Sequence, residues 1–308
     1  MPNYAYNTVK ARNEKEFTKL KEAFTVNLTG EKGRTREEVD FEKIVPRPRS
    51  LSYVPSPVSR EVRNLFEKKT GKAVKKETLE DEKYLKEEMK IFKKTNPAEF
   101  EKMIKQAEEI IERISENETE FLEKCWDEQL DTSEKLAIYL YNYSNYGELD
   151  WYTWSIKNWG TKWNGFSTSV DEENYSIFFE TAWNGCEPVI MELARKLEIP
   201  LFYEVSEEQF SVFACEMVLT PVGEEVRIEM GPDTTYNLFK IAARMQDEEQ
   251  MNNRYDPVKG EIVYYDEDED FDEHVEGAGE YFDNLHVLTV EELESDLYKE
   301  FVQSGEAK

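Results

Sequence analysis

Residues 175–198 read YSIFFETAWNGCEPVIMELARKLE. The first nine predict a strand, 175–183, and the stretch from Cys186 to Glu198 predicts a helix. Further strands are expected at 200–205, 209–219 (QFSVFACEMVL) and 224–230. At the other end of the chain, residues 3–11 (NYAYNTVKA) predict a short strand and residues 13–24 a helix. Asn13 is its candidate N-cap, with Glu16 three residues on, and Phe17, Leu20, Ala23 and Phe24 form one apolar stripe. A strand and helix followed by strand, helix, strand, strand is a split βαβ pattern, which gives an α+β class.

The intervening sequence has a different texture. A polar loop is expected after Phe24. FEKIVPRPRSLSYVPSPVSR (41–60) carries Pro46, Pro48, Pro55 and Pro57, which forbid regular helix and favour an extended path. Residues 78–146 look helical. Asn96, Pro97 and Glu99 open one helix, and Phe100, Met103, Ile104, Ala107, Ile110, Ile111 and Ile114 form its stripe. A second helix is expected over 117–129. A third begins near Asp131 to Ser133, carries Leu136, Ala137, Leu140 and Tyr141, and stops before Gly147. Past 231 the pattern predicts a helix over 233–246, a loop, an acidic run, and short amphipathic helices near 287–303. The expected organisation is a discontinuous domain (1–77 and 147–230), a helical insertion (78–146) and an acidic C-terminal extension (231–308).

Four segments carry a resemblance: Met1-Pro2-Asn3 with Asn7, FEKIVPRPRSL (41–51), LDWYTWSIKNWGTKWN (149–164) and FFETAWNGCEPVIMELARKL (178–197). Their order and spacing resemble the Api92-like family of bacteriophage and plasmid proteins. The block Trp159-Gly160-Thr161-Lys162-Trp163 is the most specific of them. Tyr4 stands where the family usually has Trp, and 209–219 lacks the glycine expected near its middle. The resemblance implies a ferredoxin-like domain and a phage or mobile-element origin. It implies no chemistry.

The 308 residues carry a formal net charge of -28, with 39% hydrophobic and 13% aromatic residues. Such a chain can build a core. Its field repels nucleic acid and anionic membranes at long range and attracts basic surfaces, although acidity alone also keeps a protein soluble. The charge is bipolar. Residues 43–76 hold ten Lys and Arg against two Glu, and residues 261–308 hold seventeen Asp and Glu against two Lys. Three separated cysteines and an opening without an apolar h-region fit a reducing cytoplasm. No run approaches the roughly 18 apolar residues of a membrane span.

Catalytic parts are scarce. The two histidines, His274 and His286, both lie in the acidic stretch, and no Cys or His spacing suits zinc. No Gly-rich phosphate loop or nucleophile elbow is present. The expectation is therefore a non-enzyme with no cofactor and no metal. Cys186 could gain reactivity from a helix N-terminus, or could be a small buried residue. Asp266–Asp270 does not make a calcium loop, because Phe271 and Gly277 occupy the positions that need Gly and Glu.

Two surfaces are candidates for binding. Tyr264, Tyr265, Asp266, Glu267, Asp268, Glu269, Asp270, Phe271, Asp272 and Glu273 could dock on a basic groove or stay a solvated tail. Arg47, Arg49, Trp159, Lys162 and Trp163 form the second candidate. There, Trp159 and Trp163 either stack bases with Lys162 on a phosphate, or wedge the insertion against the sheet. The basic island (43–76) meets nucleic acid, its own tail, or the tail of another copy, and the last favours a homo-oligomer. The function expected is a phage-encoded, non-catalytic inhibitor or modulator of a host protein, such as a defence component. It would act by steric and electrostatic occlusion. The alternative is a nucleic-acid-binding accessory protein of phage DNA metabolism.

Overall fold

Alternate residues of Tyr4–Lys10 (β1) are buried, namely Ala5, Asn7 and Val9. That period of two places β1 inside a sheet. The computed structural model describes residues 3–29, 33, 35–54, 97–117, 119, 130, 132–208, 213–246, 253–264, 285–286 and 288–306. The chain divides into two compact units, residues 1–46 with 158–308, and residues 47–157. These boundaries differ from the expected ones, since the second unit starts before the helical stretch and the C-terminal residues join the first.

In the first unit β1 leads into α1 (Glu14–Phe24), which buries Phe17, Leu20 and Phe24. Asn13 caps it by accepting from the Glu16 N–H at 3.1 Å. The Glu16 carboxylate does not close a capping box; it holds the Arg12 guanidinium, with Nε at 3.0 Å. Later come β4 (Phe166–Asp171), β5 (Ser176–Ala182), α5 (Glu187–Leu197), β6 (Leu201–Glu207), β7 (Ala214–Val222) and β8 (Glu225–Met230). The six strands form one sheet in the order β4-β5-β1-β6-β7-β8, with every neighbouring pair antiparallel. β1 and β4 flank β5, while β5 and β6, joined by α5, flank β1.

Helices cover both faces at the centre. α1 and α5 share the face of Asn7, Val9, Phe179 and Tyr203. The Phe24 ring stands 5.5 Å from Phe179 and 5.9 Å from Phe41. The opposite face, with Lys10, Phe202 and Glu204, lies under α6 (Thr235–Met245) and α8 (Asp296–Glu306), where Tyr298 sits 5.0 Å from Phe202. This double cover buries all seven residues of β6. Among the carboxylates it buries, Glu204 and Glu216 are paired as the physics requires. Arg244 forks between Glu204 (2.6 Å) and Glu216 (2.8 Å), and Lys10 lies 3.0 Å from Glu204. Burial alone would raise the Glu204 carboxyl, but Lys10 and Arg244 outweigh it and hold it below its ordinary value.

Several expectations need correction. The polar loop after Phe24 is a hairpin, β2 (Thr25–Thr29) with β3 (Thr35–Val39). Its residues are mostly exposed, so no apolar alternation advertises it. β4 was not expected; it is an edge strand of mixed burial, with a register shift between Phe166 and Ser169. The proline-rich stretch is not simply extended. It makes 3₁₀ turns at Phe41–Lys43 and Arg49–Tyr53, separated by Pro46 and Pro48. A hairpin of β9 (Asn253–Asp256) and β10 (Glu261–Tyr264) stands where a loop was expected, and α7 (Val290–Leu293) precedes α8.

The second unit packs α2 (Pro97–Glu116) on α3 (Thr132–Tyr146). Ala107 and Ile114 meet Leu136, Ala137, Tyr139 and Leu140, with Val54 and Leu149 closing the cluster. The helix expected over 117–129 lies outside the described residues. Residues Trp151–Trp159 form a helix, α4, for which no element was expected.

Candidate functional site

Within the first unit, Asn3, Asn7, Thr161 and the turn 183–186 come together at one end of the sheet. Asn7 lies mid-strand and fully buried, an unusual place for an amide. Its Nδ2 donates to Thr181 Oγ1 at 2.9 Å and to the Ala5 carbonyl at 2.8 Å, while its Oδ1 accepts from the Tyr203 hydroxyl at 2.6 Å. Tyr203 in turn accepts from the Cys186 N–H at 2.9 Å, at the start of α5. Thr181 donates to the Asn184 carbonyl at 2.6 Å, and Thr161 donates to the Ala182 carbonyl at 2.8 Å. The turn 183–186 is thus tied to β1, β5, β6 and the loop after α4. Every polar atom in this chain of bonds has a partner, which is what makes its burial tolerable.

Two glycines let the loops close on one another. Gly160 has φ 83°, and a Cβ there would lie 2.9 Å from the Gly185 carbonyl oxygen. A Cβ on Gly185 would lie 2.8 Å from the Tyr203 hydroxyl. Either clash forces backbone or a buried ring to move.

Cys186 caps α5 without a side-chain bond, and burial pushes its thiol well above the ordinary range. Burial does the same to the Tyr203 hydroxyl and raises the Glu187 carboxyl. Helix-dipole activation of Cys186 is therefore overridden by desolvation, and the thiol stays protonated.

Outside this buried base stands an exposed patch. Trp163 is 41% exposed and Trp183 40% exposed. The Lys162 ammonium lies 4.6 Å from the Trp163 ring centre and 5.3 Å from that of Trp183. Trp183 has φ 72°, a conformation that a bulky residue adopts at a cost. The Asn3 carbonyl accepts from its N–H at 2.9 Å, and Asn3 Nδ2 donates to Glu207 at 2.6 Å. The opening motif thus holds the strained turn.

The sequence-predicted residues separate. Lys162 and Trp163 are in the patch. Trp159 is not; it is 1% exposed, donates from Nε1 to the Val45 carbonyl at 2.9 Å, and packs edge-on to Phe41. Trp159 is therefore a core residue of the first unit, held by Val45 and Phe41, and Trp163 is the exposed one of the pair. Arg47 and Arg49 belong to the helical unit. Tyr264 ends β10 opposite Asn253, and Tyr265, Asp266, Glu267, Asp268, Glu269, Asp270, Phe271, Asp272 and Glu273 lie outside the described residues. So does the basic island beyond Val54. Trp183 was missed as a site residue because FETAW reads as a strand to its end. The following Asn184-Gly185 was the available sign of a turn. Among the described residues no group of three His, Cys, Asp or Glu could hold a metal ion, and no helix is long and apolar enough to cross a membrane.

No protein-family model and no curated protein matches the chain. Among solved structures, a protein api92 from Yersinia pseudotuberculosis aligns over 75% of this chain and 99% of its own, at 9% identity and a TM-score of 0.26. That TM-score does not establish a shared fold, and nothing in these comparisons supports the phage or plasmid origin that the resemblance implies.

Proposed function

We propose that this chain works by binding another macromolecule and has no catalytic role. One observation carries the reading: Trp163 and Trp183 stand open to solvent around Lys162, on a base whose buried polar groups are satisfied. Large aromatic side chains preorganised on a rigid base are the usual anchors of protein interfaces. The partner is a protein with a basic surface, since a net charge of -28 steers such a surface inward. The acidic stretch Tyr264–Glu273 adds electrostatic attraction, and the partner is occluded rather than modified. In the setting implied by the Api92-like resemblance, that partner is a host protein in the cytoplasm of an infected bacterium. The strand order β4-β5-β1-β6, with α1 and α5 on one face, supports a ferredoxin-like reading of the domain, extended by β7 and β8.

A second reading is favoured by the same patch: two rings flanking a lysine suit stacked bases beside a phosphate. Affinity capture of the tagged chain at low and then high salt, with proteins and nucleic acid identified together, separates the two. A stoichiometric protein released by salt supports the first reading. Nucleic acid alone supports the second. Bound protein that salt does not release contradicts the electrostatic part of the proposal.

A further inference from the structure

The two edges of the six-stranded sheet differ. Beside β4 lies the β2–β3 hairpin: Thr168 Oγ1 accepts from the Val39 N–H at 3.0 Å, and Glu38 accepts from Thr168 Oγ1 at 2.9 Å. At the other edge, no strand among the described residues pairs with the outer side of β8. Its two turn-distal apolar residues, Ile228 and Met230, are 43% and 54% exposed. An open edge with exposed apolar side chains is a site for strand pairing unless something blunts it.

The register of β8 on β7 says which groups are free. Glu225 faces Val222 across the turn Gly223-Glu224, and Gly231 donates its N–H to the Glu216 carbonyl at 3.0 Å. In an antiparallel pair the residues bonded to one neighbour alternate. Glu225, Arg227, Glu229 and Gly231 therefore turn their peptide groups toward β7. Val226, Ile228 and Met230 turn theirs outward.

We propose that β8 pairs antiparallel with β8 of a second copy of this chain about a two-fold axis at Ile228, making one continuous sheet. With Ile228 opposite Ile228 of the second copy, Val226 meets Met230 and the outward peptide groups exchange hydrogen bonds. On the other face Arg227 lies opposite Glu229, and by symmetry Glu229 opposite Arg227. Shifting the register by two residues either way sets Arg227 against Arg227 or Glu229 against Glu229, which is unfavourable. Of these three registers, only the one centred on Ile228 is complementary in charge, and it pairs the strand from Val226 through Met230. A two-fold pairing is also closed, so it yields a dimer rather than a fibre.

The charge of -28 on each copy opposes association at long range. Moderate salt screens that repulsion over about 10 Å while leaving the strand contact largely intact. Dimerisation should strengthen from low to moderate salt, the opposite of capture of a basic partner. This distinguishes the β8 surface from the tryptophan patch.

The test is sedimentation equilibrium of the full chain in moderate salt. A species of twice 36.4 kDa is expected. Arg227→Glu and Glu229→Arg should each weaken the dimer about tenfold, because both symmetric pairs become like-charged. The double variant R227E/E229R should restore it, because the swapped charges are again opposite. Ile228→Pro removes an outward N–H without touching a bond to β7, and should give a monomer with unchanged circular dichroism. A wild-type monomer, a dimer insensitive to Ile228→Pro, or failure of the charge swap to rescue would overturn the proposal.

Discussion

Asn7 illustrates why single residues matter here. It supplies the acceptor for Tyr203 and a donor for Thr181, all three buried. Asn7→Ala leaves both without that partner, and a loss of about 2–3 kcal/mol is expected in urea unfolding. Gly160→Ala adds a Cβ at φ 83° against the Gly185 carbonyl, and about 2 kcal/mol should be lost in the same experiment. Trp183 behaves differently. Trp183→Gly and Trp183→Ala remove the same ring, yet glycine tolerates φ 72°. The glycine variant should be more stable than the alanine variant by about 1 kcal/mol. Equal stabilities would mean that the backbone at 183 carries no strain.

At the scale of elements, the buried charges tie α6 to the sheet. Arg244→Ala removes the Arg244 partner of Glu216 and leaves Glu204 with Lys10 alone in the interior, and about 3 kcal/mol should be lost at neutral pH. The sign of the pH dependence follows from Glu204, whose folded carboxyl sits below its unfolded value. Its contribution is complete above the unfolded value and fades as pH falls through the folded one. The gap between wild type and Arg244→Ala should therefore narrow on acidification, as thermal melts across that range would show. Elements with an apolar signature were legible in the sequence. β1, α1, β5, α5, β6, β7, α2, α3, α6 and α8 each bury apolar residues along a stripe or run, and β8 is legible from its alternating apolar residues Val226, Ile228 and Met230 although they are not buried. The hairpins β2–β3 and β9–β10 and the edge strand β4 were not: β2–β3 is polar and half exposed, and β4, β9 and β10 are short and mostly half-buried, so no clear hydrophobic period marks them. α4 was hidden by its tryptophans, whose bulk suits a strand as readily as a helix. The candidate patch was only partly legible. Lys162 and Trp163 stood out, but their partner Trp183 comes from a turn twenty residues away, a proximity only the fold creates.

Across the whole molecule, charge and shape divide the work. On the proposed reading, the -28 field would draw a basic partner and weaken with salt. The aromatic patch would give that encounter a place to anchor, and the β8 edge, unpaired among the described residues, would give a separate route to self-association. The most direct measurement is affinity capture, at low salt, with wild type and with Trp163→Ala/Trp183→Ala, both first shown folded by circular dichroism. The account predicts that the wild type retains a stoichiometric partner and that the double variant loses it. Equal retention by both would contradict the claim that the Trp163–Lys162–Trp183 patch is the binding site.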